Sequence, residues 1–364
     1  MTSKPVWIWL PGQTQPVRAG TFTLAGTAAI PLGSFAYDKA YVERTDRIAL
    51  DERQLRGFRG MAKTTDYQGV FDILRDVTPE GFGLDMLLRR RAVTSMSALD
   101  TLEYAEGDSV GAVVVCDDID TKMAFVPRSS QDMFDVMDDT EPAQPGAHII
   151  TRLHGLPSTS LGGERPKITV THKGQWWMAK FAGSKDAPSS PLREYLCMKL
   201  AREAGIEAAE VEFIQRKGRG TVLLVKRFDR HWNADGRLER LHFASGATML
   251  GAAAAGRDAP GRTYINMGLN ALRWGVQQHL PELWRRMAFN VLIGNGDDHP
   301  RNHGFLRRGS GWCLAPAYDI APYTPNGGQV MDVRALSMGV LRKAVRTGLP
   351  DGERLSGQHM ATDP

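Results

Sequence analysis

Cysteine is scarce in this sequence of 364 residues: three occur, at Cys116, Cys197 and Cys313, far apart and odd in number. This pattern argues against a disulfide framework and against a zinc site built from cysteines. Long hydrophobic runs are also missing. The apolar runs, such as residues 6–10 and 222–225, have the length of a strand and fall far short of the ~20 residues that cross a bilayer. The apolar start of the chain is too short for a signal peptide. We therefore expect a cytoplasmic protein with no membrane partner.

A strong excess of charge of one sign is absent as well. Lys and Arg total 45, Asp and Glu total 41, and the net charge is +4. A dedicated nucleic-acid binder would carry much denser basic clusters. No repeat with a period of 20–50 residues is visible, which argues against a solenoid or a propeller. The hydrophobic share of 42% is that of an ordinary globular protein. At roughly 100–200 residues per domain, the length predicts two or three domains.

The first 125 residues read as a mixed α/β unit. Glycine and proline separate short apolar runs that predict strands at 6–10, 21–24, 48–50 and 111–116, with helices at 70–74 and 84–91. A linker is predicted at 126–146, because residues 140–146 (TEPAQPG) hold two prolines and a glycine.

After the linker, the pattern predicts strand, strand, helix, strand, strand between residues 167 and 228. Alternation along 176–181 places Trp177, Ala179 and Phe181 on one face and Lys180 on the other. The helix begins near Pro191, and Gly205 stands where a C′ residue belongs. Apolar residues of this helix recur at helical spacing, among them Leu192, Tyr195, Leu196 and Leu200.

The remainder reads as mostly helical. A helix beginning at Pro281 carries an apolar face that we expect to be buried, formed by Leu283, Trp284, Met287, Ala288, Val291 and Leu292. It ends at the glycines of 294–296, and a polar loop follows directly. Short strands are then predicted at 304–306 and 312–315.

The polar loop carries the chemistry. Asp297 and Asn302 are separated by four residues, and Asp319 follows a hairpin that would fold back beside them. One aspartate can orient the attacking hydroxyl, while asparagine and a second aspartate offer the oxygen ligands that Mg²⁺ prefers. Lys180 on a strand could reach the nucleotide phosphates, and Glu194 on the next helix could hold it by an ion pair. This ordered set predicts a phosphotransferase site.

Two other interpretations fit parts of the same loop. His299 and His303 are four residues apart, as in some zinc sites, but Pro300 between them disfavours a helix and the metalloprotease glutamate is missing. The loop aspartates and Asn302 could also serve only to cap and turn a surface segment. The presence of Lys180 and Asp319 in the expected order favours phosphoryl transfer.

Five stretches in a fixed order resemble the HipA-type serine/threonine kinases, the toxins of bacterial toxin–antitoxin modules. They are LRDVTPEGFG at 74–83, SLGGERPK at 160–167, EYLCMKLA at 194–201, VKRFDR at 225–230, and NGDDHPRNH at 295–303 with YDI at 318–320. The resemblance covers residues 30 to 340. It implies an α+β, two-lobed protein-kinase-like fold preceded by a small mixed α/β subdomain at 1–125. The implied β-rich lobe spans 147–230 and the helical lobe 231–364. Since family members continue with further helices after the Asp319 region, we expect a short C-terminal lobe here.

The resemblance also implies roles for individual residues. Asp297 would be the catalytic aspartate, and Asn302 and Asp319 the Mg²⁺ ligands. ATP would be held by the backbone of Lys226, Arg227 and Phe228 and by the remaining implied contacts, which are Lys180, Glu194, Gly162, Gly163 and His299. Ser160 is the best match to the family's autophosphorylated serine, with Thr159 and Ser158 as alternatives.

The implied cofactors are ATP and Mg²⁺. The implied partners are a small DNA-binding antitoxin of the HipB type, operator DNA reached mainly through that antitoxin, and a protein substrate in translation such as an aminoacyl-tRNA synthetase. Two alternatives remain open at this point. One is a catalytically silent binding partner or co-repressor of the antitoxin, and the other is a small-molecule phosphotransferase.

Overall fold

The computed structural model describes most of the chain. The described residues are 2–27, 30–131, 162–163, 165–182, 186–187, 189–216, 220–251 and 261–322. The proline-rich part of the predicted linker, Ser160 with Thr159 and Ser158, and the segment after residue 322 lie outside these ranges. The longest described helix has 14 residues, and none of the described helices is long and apolar enough to cross a bilayer.

The N-terminal unit (residues 2–123) is built on a five-stranded antiparallel sheet in the order β4-β3-β2-β1-β5. Its strands are β1 (Thr2–Ile8), β2 (Val17–Gly26), β3 (Pro31–Tyr37), β4 (Ala62–Thr64) and β5 (Val113–Val115). Its helices are α1 (Lys39–Val42), α2 (Asp66–Gly69), α3 (Asp72–Asp76), α4 (Phe82–Arg91), α5 (Ala98–Tyr104) and α6 (Ile119–Met123). Both faces of β5 are buried, since Val113 packs into the main core and Val114 packs beside Trp9. This explains its continuous valine run.

The strand predicted at 48–50 is wrong. Ile48 and Leu50 are buried, but they lie in a loop whose backbone is satisfied by two tyrosine hydroxyls. The Ile48 N–H donates to the hydroxyl oxygen of Tyr41 (3.2 Å), and the Leu50 N–H donates to that of Tyr37 (2.8 Å). Because these side chains accept the hydrogen bonds that a neighbouring strand would take, the apolar segment is buried without joining a sheet.

The sheet lobe (residues 128–226) has the predicted order of strand, strand, helix, strand, strand from residue 167 onward. Its strands are β6 (Arg128–Ser129), β7 (Lys167–His172), β8 (Gln175–Phe181), β9 (Val211–Arg216) and β10 (Gly220–Lys226), arranged as β6-β7-β8-β10-β9, and its helix is α7 (Ser190–Glu203). The predicted alternation along β8 is confirmed, because Trp177, Ala179 and Phe181 share one core. Gly205 follows α7 with a φ of 76°, as expected at C′.

The C-terminal lobe (residues 230–322) combines helices with two small sheets. Its strands are β11 (Arg230–Trp232) paired with β12 (Leu238–Arg240), and β13 (His242–Ser245), β14 (Gly304–Arg308) and β15 (Gly311–Leu314) in one antiparallel sheet. Its helices are α8 (Gly246–Leu250), α9 (Tyr264–Arg273) and α10 (Leu280–Leu292), followed by a 3₁₀ turn (Pro300–Asn302). The hairpin predicted after the polar loop is therefore confirmed.

The predicted buried face of α10 is partly wrong, and α7 shows the same departure from its apolar spacing. In α10, Trp284 is 63% and Leu292 70% exposed, whereas Arg286 and Asn290 are buried. In α7, Leu196 and Leu200 are exposed, whereas Glu194 is buried. The inward side of each helix carries polar groups that meet specific partners, so apolar periodicity alone points to the wrong side.

One hydrophobic core runs from the N-terminal unit into the C-terminal lobe. Leu74 and Val113 belong to the same buried cluster as Met249, Phe305 and Leu283. The chain therefore folds with its N-terminal unit packed directly on the lobe that carries the polar loop, and Glu80, in the turn after α3, contacts Arg301 of that loop.

Candidate active site

The polar loop begins where α10 ends. Gly294 takes a φ of 69°, and the Asn295 N–H donates to the carbonyl of Asn290 at 2.8 Å, which closes the helix. The side-chain amide of Asn302 then donates to the backbone oxygen of Asp297 at 3.0 Å, and the Asn302 N–H donates to the carbonyl of His299 at 2.8 Å. The two residues separated by four positions are therefore brought together across one compact loop.

Adjacent aspartates in this loop have opposite environments. Asp298 is buried, accepts a hydrogen bond from the Tyr264 hydroxyl at 2.5 Å, and contacts Nε2 of His303 at 2.8 Å. Asp297 is exposed. The buried Asp298 therefore holds the loop, whereas Asp297 lies at the protein surface. His303 is engaged inside the protein, on Asp298, and does not extend toward His299.

Lys180 lies between two carboxylates, those of Glu194 and Asp319, and the three side chains form a charged triangle. Its Nζ lies 2.6 Å from Oε1 of Glu194 on α7 and 2.9 Å from Oδ1 of Asp319. Lys180 and Glu194 are buried, and the Asp319 side chain is 39% exposed. Burial alone would lower the pKa of Lys180, but the charges of Asp319 and Glu194 outweigh it and raise this pKa above its usual range. The ammonium stays charged, as a phosphate contact requires.

Asp319 is held in an unusual backbone conformation. Its φ is 58°, in the left-handed region that non-glycine residues rarely adopt. The preceding residue, Tyr318, donates its hydroxyl to the carbonyl of Arg301 at 2.7 Å, which ties this segment to the polar loop. Burial alone would raise the pKa of Asp319, but the charges of Lys180 and Lys167 hold it well below its usual range. The Asp319 carboxylate is therefore ionised, with its Oδ1 paired to Lys180.

A second buried lysine, Lys167, was missed by sequence reasoning. It lies directly opposite Lys180 in the β7–β8 pair, and its Nζ donates to the carbonyl of Gly162 at 2.7 Å. Burial, together with the charge of Lys180, lowers its pKa to about 8. The signal was present: the two-residue turn at Lys173 and Gly174, both with positive φ, sets the register that pairs 167 with 180.

The resemblance implies a phosphate-contacting loop at residues 160–163, of which the structure describes Gly162 and Gly163. Gly163 has a φ of 106°, and a Cβ at this position would lie 2.5 Å from Nζ of Lys167. Its carbonyl accepts the N–H of Phe82 at 3.0 Å. A side chain at Gly163 would therefore be strained by this φ and would require the end of the Lys167 side chain to shift.

The segment predicted to meet adenine, residues 226–228, connects the two lobes. Lys226 pairs on the surface with Glu210 at 3.1 Å. The Phe228 ring lies 5.4 Å from that of Tyr318. The Arg227 guanidinium is buried and bound to Asp229 (2.7 Å), so this side chain is engaged inside the protein. A nucleotide contact by Arg227 would therefore have to use its backbone. The backbone N–H of Arg227 already donates to the Trp176 carbonyl at 2.9 Å.

Arg227 belongs to a buried arginine cluster (Arg227, Asp229, Arg230 and Arg240) that joins the interlobe segment to the N-terminal unit. Asp229 accepts hydrogen bonds from both neighbouring arginines and from the Gly111 N–H at 2.7 Å. Burial alone would raise the pKa of Asp229, but Arg227 and Arg230 hold it well below its usual range. Arg230 and Arg240 donate to the carbonyl of Ser109. This cluster has a structural role.

Comparison with known proteins places this geometry in a family. Residues 159–356 match the family model of the HipA-like C-terminal domain, and residues 10–116 match that of the HipA N-terminal domain. The chain is similar to the serine/threonine-protein kinase toxin HipA of Shewanella oneidensis, with 25% identity over 287 residues, 68% of this chain and 61% of the relative. It is also similar to the putative kinase Y4mE of Sinorhizobium fredii, with 30% identity over 137 residues, 36% of this chain and 32% of the relative.

Among solved structures, the chain resembles one of the Shewanella oneidensis HipA, HipB and operator DNA complex. The TM-score is 0.59 at 19% identity, covering 92% of this chain and 80% of the other, and this likeness shows the fold. The chain spans about three fifths of the length of the curated HipA relative. With both of its characteristic domains matched, the chain belongs to the HipA family.

Proposed function

We propose that this protein is a Mg²⁺- and ATP-dependent protein serine/threonine kinase that acts as the toxin of a toxin–antitoxin pair. The observation that carries the proposal is the triangle of Lys180, Glu194 and Asp319, which joins the sheet lobe to the C-terminal lobe beside the loop of Asp297 and Asn302. Phosphoryl transfer needs mainly positioning and charge stabilisation, and these residue types supply both.

The residues fit the two cofactors. Carboxylate and amide oxygens are ligands that Mg²⁺ prefers, and Asp319 is kept ionised by the neighbouring lysines. In the proposal, Asp319 and Asn302 hold Mg²⁺, and Lys180 contacts the nucleotide phosphates. Gly162, Gly163, His299 and the backbone of residues 226–228 would hold the rest of ATP, and the buried Glu194 would contribute through Lys180. Bound Mg²⁺ would neutralise part of the phosphate charge.

Asp297 accepts the proton in the proposed reaction. The hydroxyl oxygen of a serine or threonine bonds to the γ-phosphorus, the bond from that phosphorus to the β–γ bridging oxygen breaks, and ADP leaves. The hydroxyl proton passes to the exposed carboxylate of Asp297. The buried Asp298, held by Tyr264 and His303, keeps the loop in place during this step.

The partners follow from the family. The HipA relative is named a toxin, and the similar structure contains HipB and operator DNA. We propose a HipB-like antitoxin for this chain, with DNA reached mainly through it, since a net charge of +4 is small for a direct DNA binder. The proposed substrate is a translation protein such as an aminoacyl-tRNA synthetase, and Ser160 is a proposed site of autophosphorylation.

Intact-protein and peptide mass spectrometry after incubation with Mg²⁺ and ATP tests the activity. Wild type is expected to gain a phosphoryl group at Ser160 or a neighbouring hydroxyl. Asp297→Asn should slow transfer by about 10²–10⁴-fold while still binding ATP. Asp235→Asn is the matched control, since Asp235 is an exposed aspartate in the β11–β12 turn. The proposal would be contradicted if protein that carried no phosphate before incubation gained none and bound no nucleotide in calorimetry. This result would favour a silent binding partner.

A further inference from the structure

The turn between α3 and α4 reaches across the candidate active site. It belongs to the N-terminal unit and carries Glu80, whose carboxylate accepts hydrogen bonds from Arg75 at 3.0 Å and from Arg301. The Glu80 and Arg301 side chains are 34% and 31% exposed, so this ion pair is partly shielded from water. The pair joins two residues separated by 221 positions in sequence.

Arg301 is part of the polar loop itself. It lies in the 3₁₀ turn between Asp297 and Asn302, and its carbonyl accepts the Tyr318 hydroxyl at 2.7 Å. Its side chain is thus held from the N-terminal unit and its backbone from the residue before Asp319. A shift of Arg301 would move the loop that presents the proposed base and the proposed metal ligand.

The same turn also contacts Gly162 and Gly163, the two glycines before β7. The Phe82 N–H donates to the carbonyl of Gly163, and Gly162 lies close to Glu80, whose Cβ would be 4.0 Å from a Cβ at that glycine. One short segment, residues 80–82, therefore holds the glycine loop on one side and the polar loop on the other.

The end of α3, just before this turn, is hydrogen-bonded to the C-terminal lobe. Asp76 at the end of α3 is half-buried and accepts hydrogen bonds at 2.7 Å from the Ser245 N–H, the Ser245 hydroxyl and the Thr248 hydroxyl. These bonds fix α3 against the C-terminal lobe at the start of α8. The position of Glu80 is therefore set by the packing of the whole N-terminal unit.

We propose that Glu80 is a positioning residue for phosphoryl transfer, acting through Arg301, so that the N-terminal unit completes the kinase active site. This inference rests on the proposed function. Without the carboxylate of Glu80, the long Arg301 side chain gains rotamer freedom and the loop loses a side-chain anchor. Misplacement of reacting groups by about 1 Å can lower a rate by about 100-fold, so a modest loosening of the loop affects kcat more than nucleotide binding.

The test compares three variants with wild type in steady-state phosphorylation of a protein or peptide acceptor. Glu80→Gln and Arg301→Gln should each lower kcat about 10-fold and leave KM for ATP within about twofold. The double variant should be no slower than the slower single variant, because both changes break the same contact. Glu52→Gln is the matched control: Glu52 joins the N-terminal unit to Arg307 at 3.3 Å, on the face of the C-terminal lobe formed by β14. It should keep the wild-type kcat.

Hydrogen exchange at the amides of Asn302 and His303 gives a readout that does not need activity. Both N–H groups are bonded within the 3₁₀ turn, and they should exchange faster in Glu80→Gln than in wild type or Glu52→Gln. If wild type transfers no phosphate, the proposed function fails, whereas the exchange rates still decide the positioning role. Unchanged exchange in Glu80→Gln would overturn the inference. An equal loss of kcat in Glu52→Gln would also overturn it, by showing that general docking of the unit is what matters.

Discussion

Lys180 and Asp319 form a salt bridge of 2.9 Å that joins the sheet lobe to the C-terminal lobe. The proposed phosphate contact and the proposed metal ligand are therefore direct partners of each other. Glu194 holds the same ammonium from α7 at 2.6 Å, so the lysine has two carboxylates within hydrogen-bond distance. In the proposed function, this arrangement would couple the binding of a cation at Asp319 to the binding of a phosphate at Lys180.

Mg²⁺ and ATP should stabilise the protein cooperatively. Mg²⁺ alone must compete with Lys180 for Asp319, whereas the phosphates of ATP offer the lysine another anion. We expect the rise in Tm with both ligands to exceed the sum of the rises with each, as measured by thermal unfolding at fixed ligand concentrations. Asp319→Asn should remove this excess. A full rise in Tm with Mg²⁺ alone would contradict the coupling.

Glu194→Gln should raise KM for ATP about 10-fold and lower Tm. The ammonium of Lys180 would keep Asp319 as its only charged partner in the triangle and would be drawn toward it. Nucleotide titration by calorimetry checks the affinity. Glu212→Gln is the control on the same lobe, because Glu212 pairs at 2.6 Å with the exposed Lys173, away from the proposed site residues, and a surface ion pair contributes about 0–1 kcal/mol. Equal effects of the two changes would refute the special role of Glu194.

Asp229→Asn should destabilise the protein by about 3–5 kcal/mol. The change leaves Arg227 and Arg230 buried without their carboxylate, and an uncompensated buried charge is costly. Chemical denaturation measures the free energy of unfolding. Asp117→Asn is the comparison, since Asp117 is 62% exposed in its pair with Lys4 and its loss should cost about 1 kcal/mol or less. A small effect of Asp229→Asn would show that the arginine cluster tolerates the loss of its carboxylate.

Acid should destabilise the protein through His242. Burial, aided by the charge of Arg307, lowers its pKa to about 4, although the bond from Nε2 to the Leu50 carbonyl (2.7 Å) acts in the opposite direction. An unfolded histidine has a pKa of about 6.5, so the unfolded chain binds the extra proton between these values. Stability contributed by the neutral ring is complete above pH 6.5 and falls as pH drops toward 4, by up to about 3 kcal/mol.

His242→Gln checks this assignment, because glutamine can keep a donor for Leu50 but does not titrate in this range. The free energy of unfolding measured between pH 7 and 4.5 should fall less steeply in this variant than in wild type. His231→Gln is the control, since His231 is exposed on β11. Identical slopes in wild type and His242→Gln would show that other groups cause the acid sensitivity.

Two neighbouring residues of α10 should respond very differently to truncation. Leu283→Ala should cost about 2–5 kcal/mol, because Leu283 is 3% exposed in the core shared by the N-terminal unit and the C-terminal lobe. Trp284→Ala should change the free energy of unfolding by about 0.5 kcal/mol or less, since Trp284 is 63% exposed. Denaturant titration of both variants gives the comparison. A large loss from Trp284→Ala would mean that this side chain is covered in solution.

The local sequence pattern correctly predicted the features that depend on residues close together in the chain. The alternation along β8 and the C′ glycine after α7 are of this kind, as is the hairpin after the polar loop. Periodicity failed where buried polar groups set the inward side, as with Arg286 and Asn290 on α10. It also failed at residues 48–50, where tyrosine hydroxyls replace a partner strand.

The sequence by itself determined which residues could carry phosphoryl chemistry: a lysine on a strand, a glutamate on the next helix, and the spaced Asp297, Asn302 and Asp319. The types and the order of these residues can be read directly from the sequence. Only the tertiary structure decided that Asp297 is exposed while Asp298 is buried, and that Glu80 from the N-terminal unit binds Arg301 in the polar loop. Such contacts join residues hundreds of positions apart, and their formation depends on the packing of whole units against one another.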